Sequence, residues 1–126
     1  MTLPERSHDA EDAFVAVLAA SDDNDALTEA VSASMAAGRP RLAARLVGLL
    51  SDRVEVTPGS DLARAQRAAH LLLFDKQRPQ DLSWSELEDA WGQVRRRRMR
   101  RIRDRMRAAL SGSRASFGRL GNKRRR

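Results

Sequence analysis

The sequence contains no cysteine and no tyrosine, and it has two histidines and only 4% aromatic residues. Without cysteine the chain can form no disulfide, no thiolate-bound zinc site and no thiol nucleophile. His8 stands near the amino terminus and His70 lies in an apolar run, where a histidine is most simply a helix residue. The sequence also has no glycine-rich phosphate loop and no carboxylates at metal-ligand spacing. We therefore expect no catalytic residue, metal or cofactor, and no enzyme.

Long apolar segments are also missing. No run approaches the roughly 20 apolar residues needed to cross a bilayer, and the first part of the chain lacks the basic-then-apolar order of a secretory signal. The 126 residues suffice for one modest core and an appendage. We expect a soluble, cytoplasmic protein stabilised by packing alone.

Charge is distributed very unevenly along the chain. Residues 1–94 contain nine basic and sixteen acidic side chains, a net charge of −7, whereas residues 95–126 contain fifteen basic side chains and one acidic side chain, a net charge of +14. The overall charge of +7 conceals this separation. A concentrated positive charge at one end favours anionic partners.

Apolar periodicity predicts an all-α fold with four short helices, near 9–20, near 26–37, from Pro40 and after Ser60. The acidic cluster at 22–25 is expected to cap the second helix at its start, and Gly38 to end it in a left-handed conformation. The short segment 53–57 is predicted to be a connector rather than a strand. The expected inward-facing residues are Ala10, Phe14, Val17, Leu18, Leu27, Ala30, Val31, Ser34, Met35, Leu42, Leu46, Val47, Leu49, Leu50, Leu62, Ala65, Ala69, Leu71, Leu72, Leu73 and Phe74.

The second and third predicted helices are separated by two or three residues, which favours an antiparallel hairpin. Their small and large residues fall near those of one tetratricopeptide unit, but no second copy follows at the period of about 34 residues. A helical hairpin within a small bundle is therefore the better interpretation.

A fifth, long helix is predicted from Ser83, where Ser83 and Glu86 form a capping box, to about Leu110, before Ser111-Gly112-Ser113. Its apolar stripe consists of Trp84, Leu87, Trp91, Val94, Ile102, Met106 and Ala109. We thus predict an acidic helical body at 1–82, a long helix at 83–110 and a flexible basic tail at 111–126. The long helix divides into a packed anchor, 83–94, and an arginine-rich arm, 95–110, that projects from the body.

The arm has nine arginines in the thirteen positions 95–107. Arginines at this density surround a helix on nearly every side, and Arg95, Arg98 and Arg105 fall beside the apolar stripe, so the arm cannot all be buried. Like charges three and four residues apart repel each other, and an anionic partner would remove that penalty. Guanidinium groups bind phosphates bidentately and release condensed counterions, which favours nucleic acid as the partner.

The tail has too few large apolar residues to fold alone, and Phe117 is a candidate to stack on an unpaired base. Asparagine is missing from residues 95–110 and no leucine zipper follows, so we expect phosphate contacts largely independent of base sequence. The predicted nucleic-acid-binding residues are Arg95, Arg96, Arg97, Arg98, Arg100, Arg101, Arg103, Arg105, Arg107, Arg114, Arg119, Lys123, Arg124, Arg125 and Arg126.

Two other interpretations stay open. In the first, the protein is a helical interaction or adaptor module whose basic amphipathic helix docks on an acidic protein surface or an anionic membrane. Membrane is the less favoured of these because the stripe is narrow and lacks an aromatic residue after Val94. The acidic body and the basic end could also attract each other and drive self-association. DNA and RNA are not distinguished.

Overall fold

The chain, described here from a computed structural model, is all-α, as predicted from its periodicity. The structure describes residues 1–125, with side chains described through residue 111. Over this part of the chain there is no β-strand. The five helices are α1 (His8–Ala20), α2 (Asn24–Ala36), α3 (Pro40–Arg53), α4 (Asp61–Phe74) and α5 (Gln80–Arg125).

The chain divides into two compact units, Met1–Gly92 and Gln93–Arg126. The first unit contains α1 to α4 and the beginning of α5, and the second contains the remainder of α5. Two predictions concern the chain after the arm: that α5 ends near Leu110, and that 111–126 form a flexible tail. The described side chains end at residue 111. Those two predictions therefore stay predictions.

Short polar side chains begin three of the helices. The Ser7 hydroxyl accepts a hydrogen bond from the backbone N–H of Ala10 at 3.2 Å, and Ser60 accepts one from Ala63 at the same distance. The Asp23 carboxylate accepts two, from the N–H groups of Asp25 and Ala26, both at 3.0 Å. These oxygens satisfy backbone donors that have no partner inside the helix. The predicted acidic cap of α2 is confirmed.

Gly38 ends α2 in the left-handed conformation that the sequence predicted, with a φ of 66°. The N–H of Gly38 bonds to the carbonyl of Met35 at 3.0 Å, and the N–H of Arg39 bonds to that of Ser34 at 2.9 Å. This pair of bonds is a Schellman motif, which satisfies the last carbonyls of a helix and reverses the chain. Pro40 then begins α3, where its missing N–H is no loss.

Helix α3 lies at the centre of the first unit and packs against α2 and α4. Leucine and valine side chains fill the α2–α3 interface, whereas α4 contributes alanines, which let the α4 backbone approach closely. The fully or nearly fully buried apolar residues of these three helices are Leu27, Ala30, Val31, Leu42, Ala43, Ala44, Leu46, Val47, Leu50, Ala65, Ala68 and Ala69.

Two predicted core residues are exposed instead. Val17 is 70% exposed because α1 turns Leu18, with Phe14 half-buried beside it, toward the rest of the unit. Phe74 is 67% exposed at the last position of α4, where its ring lies near the ring of His70, at a centroid distance of 4.8 Å. Periodicity shows which residues share a side of a helix, but the width of the buried sector depends on how many neighbours cover it.

The start of α5 also differs from the prediction, because the helix begins at Gln80 rather than at Ser83. The carbonyl of Pro79 accepts the backbone N–H groups of Leu82 and Ser83 at 3.2 and 3.4 Å. Proline fixes its own φ near the helical value, which favours a helical turn directly after Pro79, before the capping box that Ser83 begins. Ser83 is consequently a buried residue inside the helix.

Arginines from α3 and the preceding turn hold the amino-terminal segment and α1. Arg39, which is only 7% exposed, donates to the carbonyls of Pro4 and Glu5 and pairs with the Glu11 carboxylate at 2.6 Å. Arg53 donates to the carbonyls of Leu18 and Ala19 at 2.6 and 2.7 Å, at the end of α1. A cation at this place satisfies free carbonyls and complements the helix dipole.

The beginning of α5 is part of the core of the first unit. Leu87, Ala90 and Trp91 are buried, and the indole N–H of Trp91 donates to the hydroxyl of Ser32 at 3.1 Å. Trp84 is half-buried. The prediction that these tryptophans serve packing therefore holds fully for Trp91 and partly for Trp84.

Candidate polyanion-binding helix

Residues 95–110, called the basic arm here, carry nine arginines and one aspartate and therefore a net charge of +8. They form a continuous stretch of α5 within the second unit. At 1.5 Å per residue the stretch is about 23 Å long, which corresponds to about one positive charge for every 3 Å of helix. Guanidinium groups keep their charge throughout the physiological pH range.

The side chains of the arm are turned to solvent. Every residue from Met99 to Ser111 is exposed, as are Arg96 and Arg97, while Arg95 and Arg98 are half-buried. The predicted arginines at 95–107 thus lie together on one helix. The remaining predicted residues, Arg114, Phe117, Arg119, Lys123, Arg124, Arg125 and Arg126, are outside the part of the chain whose side chains are described.

The arginines are arranged in rows rather than uniformly. Arg96, Arg100, Arg103 and Arg107 follow one another at steps of four, three and four residues, so they lie along one side of the helix. We call these four residues the arginine row. All four are exposed. They span about 16 Å along the helix axis, with neighbouring Cβ atoms about 5–6 Å apart.

A shallow surface depression borders the arginine row. It is lined by Arg95, Arg96, Met99, Arg100 and Arg103, all within the second unit. Four guanidinium groups around one depression can present several N–H donors to the oxygens of a single phosphate group. The depression has no lining carboxylate.

An apolar sector lies beside the row. Met99, Ile102, Met106 and Leu110 recur at steps of three, four and four residues, and we call them the arm stripe. With about 100° between successive residues, the stripe covers about 80°, and the arginines other than Arg95 cover about 220° of the circumference. Ile102 and Met106 belong to the apolar stripe that the sequence predicted, whereas Met99 and Leu110 were not included in it, although they share the same helical spacing.

The first unit has a second group of arginines, in a depression lined by Arg64, Arg67, Arg78 and Glu86. Here carboxylates pair with two of the three arginines. Arg78 pairs with Glu86 at 2.6 Å, and Arg64 pairs with Asp89 at 2.9 Å. The hydrogen bond with Asp89 raises the pKa of Arg64. This depression is therefore a weaker attraction for an external anion than the arm.

The described residues contain no group of three or more histidine, aspartate or glutamate side chains that could hold a metal ion. None of the helices, as far as the structure describes them, combines the length and the apolar composition that crossing a membrane requires. Comparisons with known protein families, with curated proteins and with solved structures found no match to this chain.

Proposed function

We propose that this protein binds nucleic acid in the cytoplasm through its basic arm, by phosphate contacts that are largely independent of base sequence. The observation that carries the proposal is the arginine row, four exposed guanidinium groups aligned along about 16 Å of helix. Over that length a duplex presents about ten phosphates, because it carries one charge per about 1.7 Å. The proposal assigns no catalytic step.

Phosphate binding accounts for the choice and the placement of these residues. Each bound guanidinium releases condensed counterions, and this gain in entropy drives association. The repulsion among closely spaced arginines on the free helix is relieved by an anionic partner at the same time. Residues 95–110 contain no asparagine or glutamine, the side chains that pair bidentately with adenine, and their arginines bind any phosphate regardless of the base beside it.

The test compares two full-length variants of equal charge. The first replaces the arginine row with glutamine (Arg96→Gln, Arg100→Gln, Arg103→Gln, Arg107→Gln). The matched control replaces four exposed basic residues of the first unit (Arg6→Gln, Arg41→Gln, Arg67→Gln, Lys76→Gln). Both reduce the net charge by four. Glutamine and arginine have similar helix propensities, so circular dichroism should show both variants folded.

Affinity is measured by fluorescence anisotropy with labelled DNA and RNA duplexes. Loss of four phosphate contacts should weaken binding of the first variant by about 4,000-fold at about 0.1 M salt, since each contact contributes about eightfold there. The control should bind within about threefold of the wild type, because it changes only long-range attraction. Equal weakening in both variants would show that net charge, not the arm, controls binding.

A further inference from the structure

The phosphate contacts proposed for the arginine row do not use the arm stripe. Its four apolar side chains are between 42% and 64% exposed. Large apolar side chains gain free energy when they leave water. The charges around the stripe indicate what kind of surface covers it.

Arginines flank the arm stripe on both sides. At about 100° per residue, the centre of the arginine row lies about 90° from the centre of the stripe. Arg101 and Arg105, both exposed, lie about 120° from the centre of the stripe on its other side. We call these two residues the second row. A surface that covers the stripe is therefore bordered by positive charge along both edges.

The one carboxylate of the arm lies on the far side of the helix. Asp104 is about 160° from the centre of the stripe, and so is Ala108. Both residues are exposed, and Arg97 shares this side with them. An anionic partner that covers the stripe would thus meet the arginines of both rows and would not meet the carboxylate of Asp104.

The positions of the two rows favour a groove over a flat surface. Measured across the stripe, the rows are about 210° apart, so a flat surface that covers the stripe lies beside neither of them. A groove with two anionic walls would meet both rows at once. The stripe also has no aromatic residue to hold it in the headgroup region of a flat lipid surface.

The major groove of B-form DNA has these properties. It is about 12 Å wide and about 8.5 Å deep, and it admits an α-helix, whose diameter is about 10–12 Å. Its walls are the phosphates of the two strands, and its floor presents thymine methyl groups and the N7 acceptor of every purine.

The stripe suits the floor of that groove. It is about 17 Å long, which corresponds to about five base pairs. Unbranched side chains such as Met99 and Met106 adapt to an irregular apolar surface. Arg95 falls in the same sector one turn before Met99, where its guanidinium can donate to the N7 of any purine.

Double-stranded RNA lacks such a groove. The major groove of an A-form helix is too deep and narrow for side chains to reach its base edges. On an RNA duplex only one row of arginines could lie against the phosphates, while the stripe stayed in water. The arrangement of the arm therefore favours DNA.

We propose that the arm binds in the major groove of B-form DNA, with the stripe toward the base edges and one row of arginines on each strand. This inference rests on the proposed nucleic-acid binding, to which it adds the type of duplex and the orientation of the helix. Binding remains largely independent of base sequence, because phosphates and apolar contacts supply it.

The first test compares duplexes by fluorescence anisotropy, with the full-length protein at about 0.1 M salt. DNA should bind about 60-fold more tightly than RNA of the same sequence, because RNA loses the two contacts of the second row, each worth about eightfold. A DNA duplex whose cytosines carry glucosylated 5-hydroxymethyl groups keeps its phosphates, but its major groove is filled. It should bind at least about tenfold more weakly than unmodified DNA.

The second test places the same negative charge on opposite sides of the arm. Met106→Glu puts a carboxylate in the stripe, and the matched control Ala108→Glu puts one on the far side. Each new glutamate follows an arginine by three residues, so the interactions within the helix are similar. Met106→Glu should weaken DNA binding at least about tenfold, because its carboxylate enters between two rows of phosphates. Ala108→Glu should weaken it less than about threefold, through long-range repulsion alone.

The outcomes separate this inference from the proposed function. Equal affinity for DNA, RNA and glucosylated DNA, all weakened by loss of the arginine row, would refute groove binding and leave the proposed function intact. Absence of binding to every duplex would refute both.

The glutamate variants supply two further contradicting results. Equal losses from Met106→Glu and Ala108→Glu would show that the arm lies with its arginine row, not its stripe, against the duplex. Flotation with phosphatidylserine vesicles that Met106→Glu abolishes, together with DNA binding that it leaves unchanged, would identify lipid as the surface that covers the stripe.

Discussion

Replacing Arg39 with methionine should destabilise the protein strongly, although Arg39 is not part of the arm. Its guanidinium is 7% exposed and pairs at 2.6 Å with Glu11, whose side chain is 13% exposed. It also donates to the carbonyls of Pro4 and Glu5. Arg39→Met would leave the Glu11 carboxylate buried without its cation and would release the amino-terminal segment.

The expected loss in the free energy of unfolding is about 3 kcal/mol, at the lower end of the range for breaking a buried ion pair because Glu11 retains some contact with water. Adding Glu11→Leu should restore about half of the loss, since the unpaired charge disappears and only the hydrogen bonds to Pro4 and Glu5 are missing. The difference between the single and double variants is the coupling energy of a double-mutant cycle.

Urea unfolding followed by circular dichroism measures all three stabilities. Arg41→Met, an exposed neighbour in α3, is the control and should change stability by less than about 0.5 kcal/mol. The reasoning is refuted if Arg39→Met loses less than about 1 kcal/mol, or if Glu11→Leu adds a further loss in the Arg39→Met background.

Three further substitutions test the backbone conformation and the packing of the first unit, all by urea unfolding. Gly38→Ala should destabilise the protein by about 1 kcal/mol, because φ at Gly38 is 66° and alanine disfavours that conformation. Gly48→Ala, inside α3 with open space around it, should stabilise the protein by about 0.5–1 kcal/mol. Equal effects of the two substitutions would contradict the conformational argument. Trp91→Phe should lose about 1–2 kcal/mol through the missing bond to Ser32 and the smaller ring, and a variant as stable as the wild type would show that this bond contributes nothing.

Local signals in the sequence sufficed for much of the fold. Asp23, Gly38 and Pro40 act on backbone groups within four residues of themselves, so their roles follow from sequence order alone. The predicted start of α5 was wrong because two local signals compete there, the capping box at Ser83 and Pro79, whose carbonyl accepts the first N–H groups of the helix.

Features that depend on distant residues were not predictable. Arg39 and Glu11 are 28 positions apart, and Trp91 and Ser32 are 59 apart. Nothing in the local pattern indicates that these side chains meet. The exposure of Val17 has the same origin, because it depends on which helices cover α1 and not on the periodicity of α1 itself.

The location of the candidate site, by contrast, could be predicted from the sequence. The concentration of arginine at 95–107 is a property of composition, and it identified the arm without any tertiary information. The separation of the arginine row from the arm stripe also follows from helical spacing, but the exposure of both sectors required the structure.

The salt dependence of duplex binding is the most direct test of the proposed function. If the protein neutralises about eight phosphates, the logarithm of the association constant should fall with the logarithm of salt concentration at a slope near −7. The arginine-row variant should give a slope near −4, because about four contacts are removed. A wild-type slope shallower than about −2, or the same slope in both proteins, would contradict phosphate binding by the arm.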